Sequence, residues 1–165
     1  MAVANNPYPA GVRVRREAQT LVEGGHKLTV IAPKARNQSS QEVVEDVRVV
    51  RYPAPPDGHG VLTYGFEFIY VTVATTLAVL FVWLRYGLDV VHVHNPPDTL
   101  FIAGLIPKLF GKKLVYDHHD LAPELYLTKF EKHAGLPHRI LLLLERLTCK
   151  TANRVVVVNY SYLCN

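Results

Sequence analysis

The sequence predicts an α/β fold, a Rossmann-like parallel sheet flanked by helices. Short runs rich in β-branched residues recur between longer segments of helical period. Most of those runs are continuously apolar rather than alternating, which marks strands covered on both faces. Glycine and proline then place the joints between strand and helix.

Ala2 to Asn5 precede an Asn6–Pro9 turn and form a first strand too short for the ~5 to 6 residues of a central one. Val12 to Glu23 is amphipathic and stops at Gly24 and Gly25. Leu28 to Ala32 and Val47 to Tyr52 read as strands. Gly60 to Leu84 is the most hydrophobic stretch, with a strongly apolar helix at about 66–84 and no charge over the 17 residues from Phe68 to Leu84. That length is at the lower edge of a membrane span. Three readings stand: a buried crossover helix of the sheet, a helix lying on a membrane surface, and a true span. Trp83, Arg85 and Tyr86 supply the aromatic and basic flank of a membrane interface. Asp89 to His94 is the next strand, and Asp98 to Phe110 a helix ending at Gly111. Lys113 to Asp117 is a strand, with Lys112 to Glu124 closing in a proline-stopped acidic turn. Pro137 to Thr151 is a helix with proline in its first turn, and Arg154 to Asn159 the last strand.

With 165 residues, 49% hydrophobic and 19% charged, residues 1–165 read as one globular domain. The net charge of +4 is spread with no long basic run, which points to anionic lipid or phosphate and away from nucleic acid. Cys149 and Cys164 match no metal or redox spacing and read as unpaired bystanders in a reducing cytosol. No basic and apolar leader follows Met1, so the expected location is the cytoplasm, extending to the cytoplasmic face of a membrane.

Polar chemistry gathers at strand ends. In open α/β sheets ligands collect outside the carboxyl ends of the strands. His92 and His94 share one strand face, Asn95 to Asp98 turn the chain, and His118, His119 and Asp120 end the neighbouring strand. Ala10 and Gly11 of the first turn join them on the same edge. Plainer readings exist: His92 as a hydrogen-bonded core histidine, Asp98 as a helix cap, and Arg13, Arg16 and Glu17 as a solvated helix face. A metal hydrolase using His92, His94, His118, His119 and Asp120 is a rival, although adjacent histidines do not readily aim at one ion. A nicotinamide site is excluded, because the first turn reads PAGVRV instead of G-x-G-x-x-G and the second strand ends Ala32, Pro33, Lys34 instead of in an acid.

Four segments in order carry a resemblance: NPYPAGVRVRREAQTLVEGGHKLTVIAPK, DVVHVHNPPD, KKLVYDHHDLAPELY and ANRVVVVN. Together they resemble the amino-terminal domain of glycosyltransferase family four, the retaining GT-B enzymes. The resemblance implies an acceptor-side domain that faces a second domain binding a nucleotide diphosphate sugar. That carboxyl-terminal donor-binding domain is absent from these residues, so the chain alone is expected to be an incomplete, inactive transferase. It further implies that His119 contacts the donor sugar and Asp120 orients its loop, as the catalytic pair. Ala10, Gly11 and Arg13 would receive the donor diphosphate. His94, Asn95, His118 and Glu124 would line the acceptor side, with no metal. The implied partners are a nucleotide sugar donor, a glycan or lipid-linked acceptor, a membrane surface met through Phe68–Leu84, and a separate donor-binding domain. A noncatalytic subunit that binds acceptor or membrane is the alternative.

Overall fold

The computed structural model describes residues 1–55, 60–130 and 135–158. Helix α1 (Val12–Glu23) is followed by β1 (Thr29–Lys34), β2 (Gln41–Val44) and β3 (Val47–Pro53). Helix α2 (Val61–Tyr86) leads into β4 (Val90–His94), a 3-10 turn (Asp98–Leu100) and α3 (Phe101–Leu109). Then come β5 (Lys113–His118), α4 (Ala122–Phe130), α5 (Leu136–Thr151) and β6 (Arg154–Val157). The last strand was expected to reach Asn159, which lies outside the described residues.

Two three-stranded ladders form, β2-β3-β1 and β4-β5-β6, with every pairing parallel except β2 with β3. The opening residues close the gap between them. Ala2 bridges Ile31 on one side and Val93 on the other, both in parallel. The Val3 N–H donates to Ile31 O at 3.0 Å, and the Ala2 N–H to His92 O at 2.7 Å. So the segment that looked too short for a central strand is central nonetheless. Its neighbours carry the packing, and Ala2 and Val3 need only satisfy the facing backbone groups.

One face of the sheet packs on α1, where Val14 and Ala18 meet Val3, Val30, Val47 and Val49. Helix α1 ends as its sequence requires: Gly25 adopts φ +82, and the N–H groups of Gly25 and His26 return to Val22 O and Leu21 O. The other face packs on α2 and α3 around Ile31, Val50, Val91, Val93 and Tyr116. Burial of each valine in this layer stabilises by roughly 1.5 to 3 kcal/mol. Gly104 of α3 lies so close to β5 that an added Cβ would sit 2.6 Å from Leu114 Cδ1.

Helix α2 is buried on one side only. Val71, Thr75, Val79 and Val82 face the sheet, whereas Phe66, Ile69, Val73, Leu77, Phe81 and Leu84 are exposed. Thr63–Tyr86 is long and apolar enough to cross a membrane by composition, yet only 28% of its most apolar window is buried. A fully buried crossover helix is therefore not what forms.

Three further differences have physical causes. The β2–β3 hairpin turns on Glu45 and Asp46, at φ 53 and 63, and lacks the Asn-Gly signature of such turns. The expected acidic turn after Asp120 is helix α4, because Pro123 sits in its first turn, where no N–H is missed. Cys149 is disulfide-bonded rather than a free bystander, with its partner outside the described residues. No described cysteine is free.

Arg51 of β3 links the fold to the first turn. Its side chain is fully buried, donating to Ser39 O and Tyr8 O at 2.9 Å each, with Glu42 at 2.7 Å. Replacing Arg51 with alanine takes the guanidinium from the Ser39 carbonyl and from the half-buried Glu42 carboxylate, while the Tyr8 carbonyl keeps Gln38 Nε2 at 3.1 Å. The expected loss is about 3 kcal/mol, read as a lower midpoint in urea unfolding.

Candidate functional site

The site is built where β4, β5 and the start of α1 meet at the carboxyl edge of the sheet. Asp117, penultimate in β5, pairs in register with His94 at the end of β4. Side chains alternate along a strand, so Asp117, His94 and His92 face α1 while His118 faces away. On α1, Arg13 and Glu17 are one turn apart and reach down onto that face.

Asp117 is the hub. Its side chain is wholly buried, and Arg13 grips both oxygens, Nε to Oδ2 at 3.0 Å and Nη2 to Oδ1 at 2.7 Å. His94 Nδ1 lies 3.0 Å from Oδ2, and His119 Nδ1 lies 3.6 Å from Oδ1. Glu17 closes the ring, with Oε1 3.2 Å from Arg13 Nε and Oε2 3.6 Å from His94 Nε2. Burial alone pushes the Asp117 carboxyl up. The imidazoles of His119 and His94, and then the Arg13 guanidinium, outweigh that and hold it well below the usual carboxylate range. Burial raises Glu17, against the opposing pull of His94. His92, stacked on His94 with ring centroids 4.5 Å apart, is lowered to about 3, first by burial and then by the charge of His94.

Asn95 ties the two strand-end loops together. Its Oδ1 accepts from the N–H groups of His119 at 3.0 Å and Asp120 at 3.1 Å. Its Nδ2 donates to Asp98 Oδ1 at 3.1 Å and to the Asp120 carbonyl. Asp98 does not cap a helix, since its carboxylate accepts from Asn95 and from the Tyr116 hydroxyl and no side-chain cap forms there. Burial raises Asp98 above the ordinary range.

The residues expected at the site separate accordingly. Arg13, His94 and His119 converge on Asp117, and His119 remains 18% exposed at the edge, with Asp120 beside it. Ala10 is exposed and Gly11 is the N-cap of α1, whose first turn holds no acid and no side-chain cap. Gly11 has φ −70, so left-handed backbone is not what it supplies. His94 and Asn95, expected on the acceptor side, are buried and engaged within the protein. His118 is buried on the opposite face, stacked on Tyr116 with Nε2 3.7 Å from Glu145 Oε2. Glu124 is exposed in the first turn of α4.

Among the described residues, the side chains that can bring ligand atoms within 4.8 Å of one another are Glu17, His92, His94 and Asp117. Of the set expected for a hydrolase, His92 and His94 belong to this group, whereas His118, His119 and Asp120 do not. A cation here would compete with the Arg13 guanidinium for both oxygens of Asp117. A cavity of about 820 Å³ opens at the opposite edge, among Met1, Lys27, Trp83 and Lys112, remote from His119.

Residues 10–161 match the family described as the glycosyl transferase 4-like domain. The chain belongs to that family. No curated protein matches it. Among solved structures it is similar to sucrose-phosphate synthase from Thermosynechococcus elongatus, with a TM-score of 0.66 and 14% identity, covering 92% of this chain and 37% of that one. A shorter, twinned-crystal structure of the same synthase gives a TM-score of 0.65 and 14% identity over 98% of this chain and 77% of that one. The chain thus spans well under half of the longer synthase, and the likeness establishes the GT-B fold. In this glycosyl transferase 4-like domain, the residues missed by sequence reasoning are Asp117 and the inward role of Glu17. The available signal was an acid one residue before a histidine pair at the end of an apolar strand.

Proposed function

We propose that this domain is the acceptor-side half of a retaining glycosyltransferase that moves a sugar from a nucleotide diphosphate sugar onto a lipid-linked or cell-surface glycan. The observation that carries the reading is the junction of Arg13, Asp117 and His119 at the sheet edge, in a chain of the glycosyl transferase 4-like family. His119 is the edge histidine, its Nδ1 side turned to a buried carboxylate. That leaves Nε2 to hydrogen-bond a hydroxyl of the donor sugar, with Asp120 4.0 Å away. The uncapped start of α1, with Ala10 and Gly11 before it, suits the diphosphate, since helix N–H groups and the macrodipole favour an anion. Such a transfer depends on positioning and on stabilising leaving-group charge, and the diphosphate itself helps to activate the acceptor hydroxyl.

The donor's base and sugar are read by a second domain in this proposal, so this chain binds nucleotide sugar weakly alone. Saturation-transfer NMR with a panel of nucleotide diphosphate sugars, with and without a carboxyl-terminal donor domain, tests this. Contacts to the sugar and diphosphate that appear with the second domain support the reading, and tight binding by this chain alone overturns the division of labour.

A further inference from the structure

The exposed stripe of α2 has no occupant in the site just described, and it does not stop at that helix. Phe66, Ile69, Val73, Leu77, Phe81 and Leu84 recur at spacings of three and four, one continuous helical face. Ile102, Ile106 and Leu109 of α3, with Phe110 just beyond its end, widen the stripe, all exposed. Trp83 joins the two helices by an edge contact with Phe110, ring centroids 5.2 Å apart. Soluble monomers rarely expose so long an apolar surface without a partner.

We infer that the α2–α3 face docks in the plane of a bilayer carrying anionic phospholipid. Charge and aromatic placement choose lipid over protein. The stripe has no charge from Phe68 to Leu84, and cations gather at its end. Arg48 lies 3.8 Å over the ring of Tyr86, and Arg85 lies 5.3 Å from it, so two guanidiniums and an amphipathic ring sit together beside the chain's one tryptophan. Such a rim belongs at the headgroup level. Spanning is ruled out by the other side of α2, where Val71, Thr75, Val79 and Val82 are held against the sheet along the helix. The helix lies on the membrane with its apolar face a few ångströms deep, on the order of 5 to 10 Å. The inference stands whether or not the domain transfers sugar.

Flotation of the full chain with vesicles of phosphatidylcholine, alone or mixed with phosphatidylglycerol, tests it. Flotation with the anionic vesicles is expected, together with a blue shift of Trp83 fluorescence and its quenching by brominated acyl chains. Leu77→Glu, at an exposed position, should weaken binding by roughly tenfold or more, and Arg85→Glu should reduce the preference for phosphatidylglycerol. The Trp83 readout needs no variant, so it decides even if one misfolds. Absence of flotation and of the shift overturns the inference. So does a dimer, seen by light scattering, that Leu77→Glu dissociates, because the face would then belong to a second copy.

Discussion

His119→Ala is expected to lower sugar transfer by the assembled enzyme roughly 10² to 10³-fold, the size of loss seen when one well-placed hydrogen-bond donor to developing charge is removed. Its melting temperature should fall by only a few degrees. The two outcomes part because of where the ring sits. His119 is at the edge, 18% exposed, with Asp117 Oδ1 at 3.6 Å and Asp120 Oδ2 at 4.0 Å, so its loss takes from folding only its share in holding the Asp117 carboxyl low, which His94 and Arg13 continue to do. The backbone N–H that anchors the loop to Asn95 survives the substitution. Steady-state kinetics and thermal denaturation on one preparation check this. Transfer at the normal rate would remove His119 from the mechanism, and equal losses of rate and stability would make it a structural residue.

Asp117→Ala is expected to cost about 3 to 5 kcal/mol of folding free energy, because it leaves Arg13 facing a buried hole and frees the face of His94. For a chain of this length that corresponds to a fall of roughly 10 °C in melting temperature. Asp117→Asn keeps the shape and separates charge from packing through pH. The Asp117 carboxyl is held in the folded protein below its ordinary value of 3.8, so its contribution is present above that value and is lost as pH falls below it. His92 titrates in another window. Its pKa falls from 6.5 unfolded to about 3 folded, so the unfolded chain binds the extra proton between those values and stability declines as pH drops from 6.5 toward 3. Unfolding midpoints from pH 3 to 8 should therefore show the His92 slope in both proteins, with a lower plateau in the Asn variant. A plateau at the wild-type height would mean that the Arg13 pair contributes nothing.

The layers of this fold were legible because its strands are continuously apolar and its helices end at glycine. Of the two elements that were not legible, β2 turns on Glu45 and Asp46 without the glycine such a turn favours, and the proline near the start of α4 fits a turn as well as the first turn of a helix. At the site, the edge and its histidines could be read, since strand period alone puts His92 and His94 together. The hub could not. Asp117 closes an apolar strand and reads as its last polar residue, and its importance comes from Arg13, 104 residues away in sequence. Asn95 likewise looked like a ligand-facing residue, because only the folded loops show its amide spent on His119, Asp98 and Asp120.

The bridge made by Ala2 sets the gauge of the whole crevice. The turn at Ala10 and Gly11 grows directly out of this segment, while His94 and Asp117 stand on the ladder to its other side. A slip of one residue there would break its bonds to Ile31 and His92 and draw the start of α1 out of line with His119. Three or four residues at the middle of the sheet thus act as the spacer between the two walls on which a sugar would have to be held.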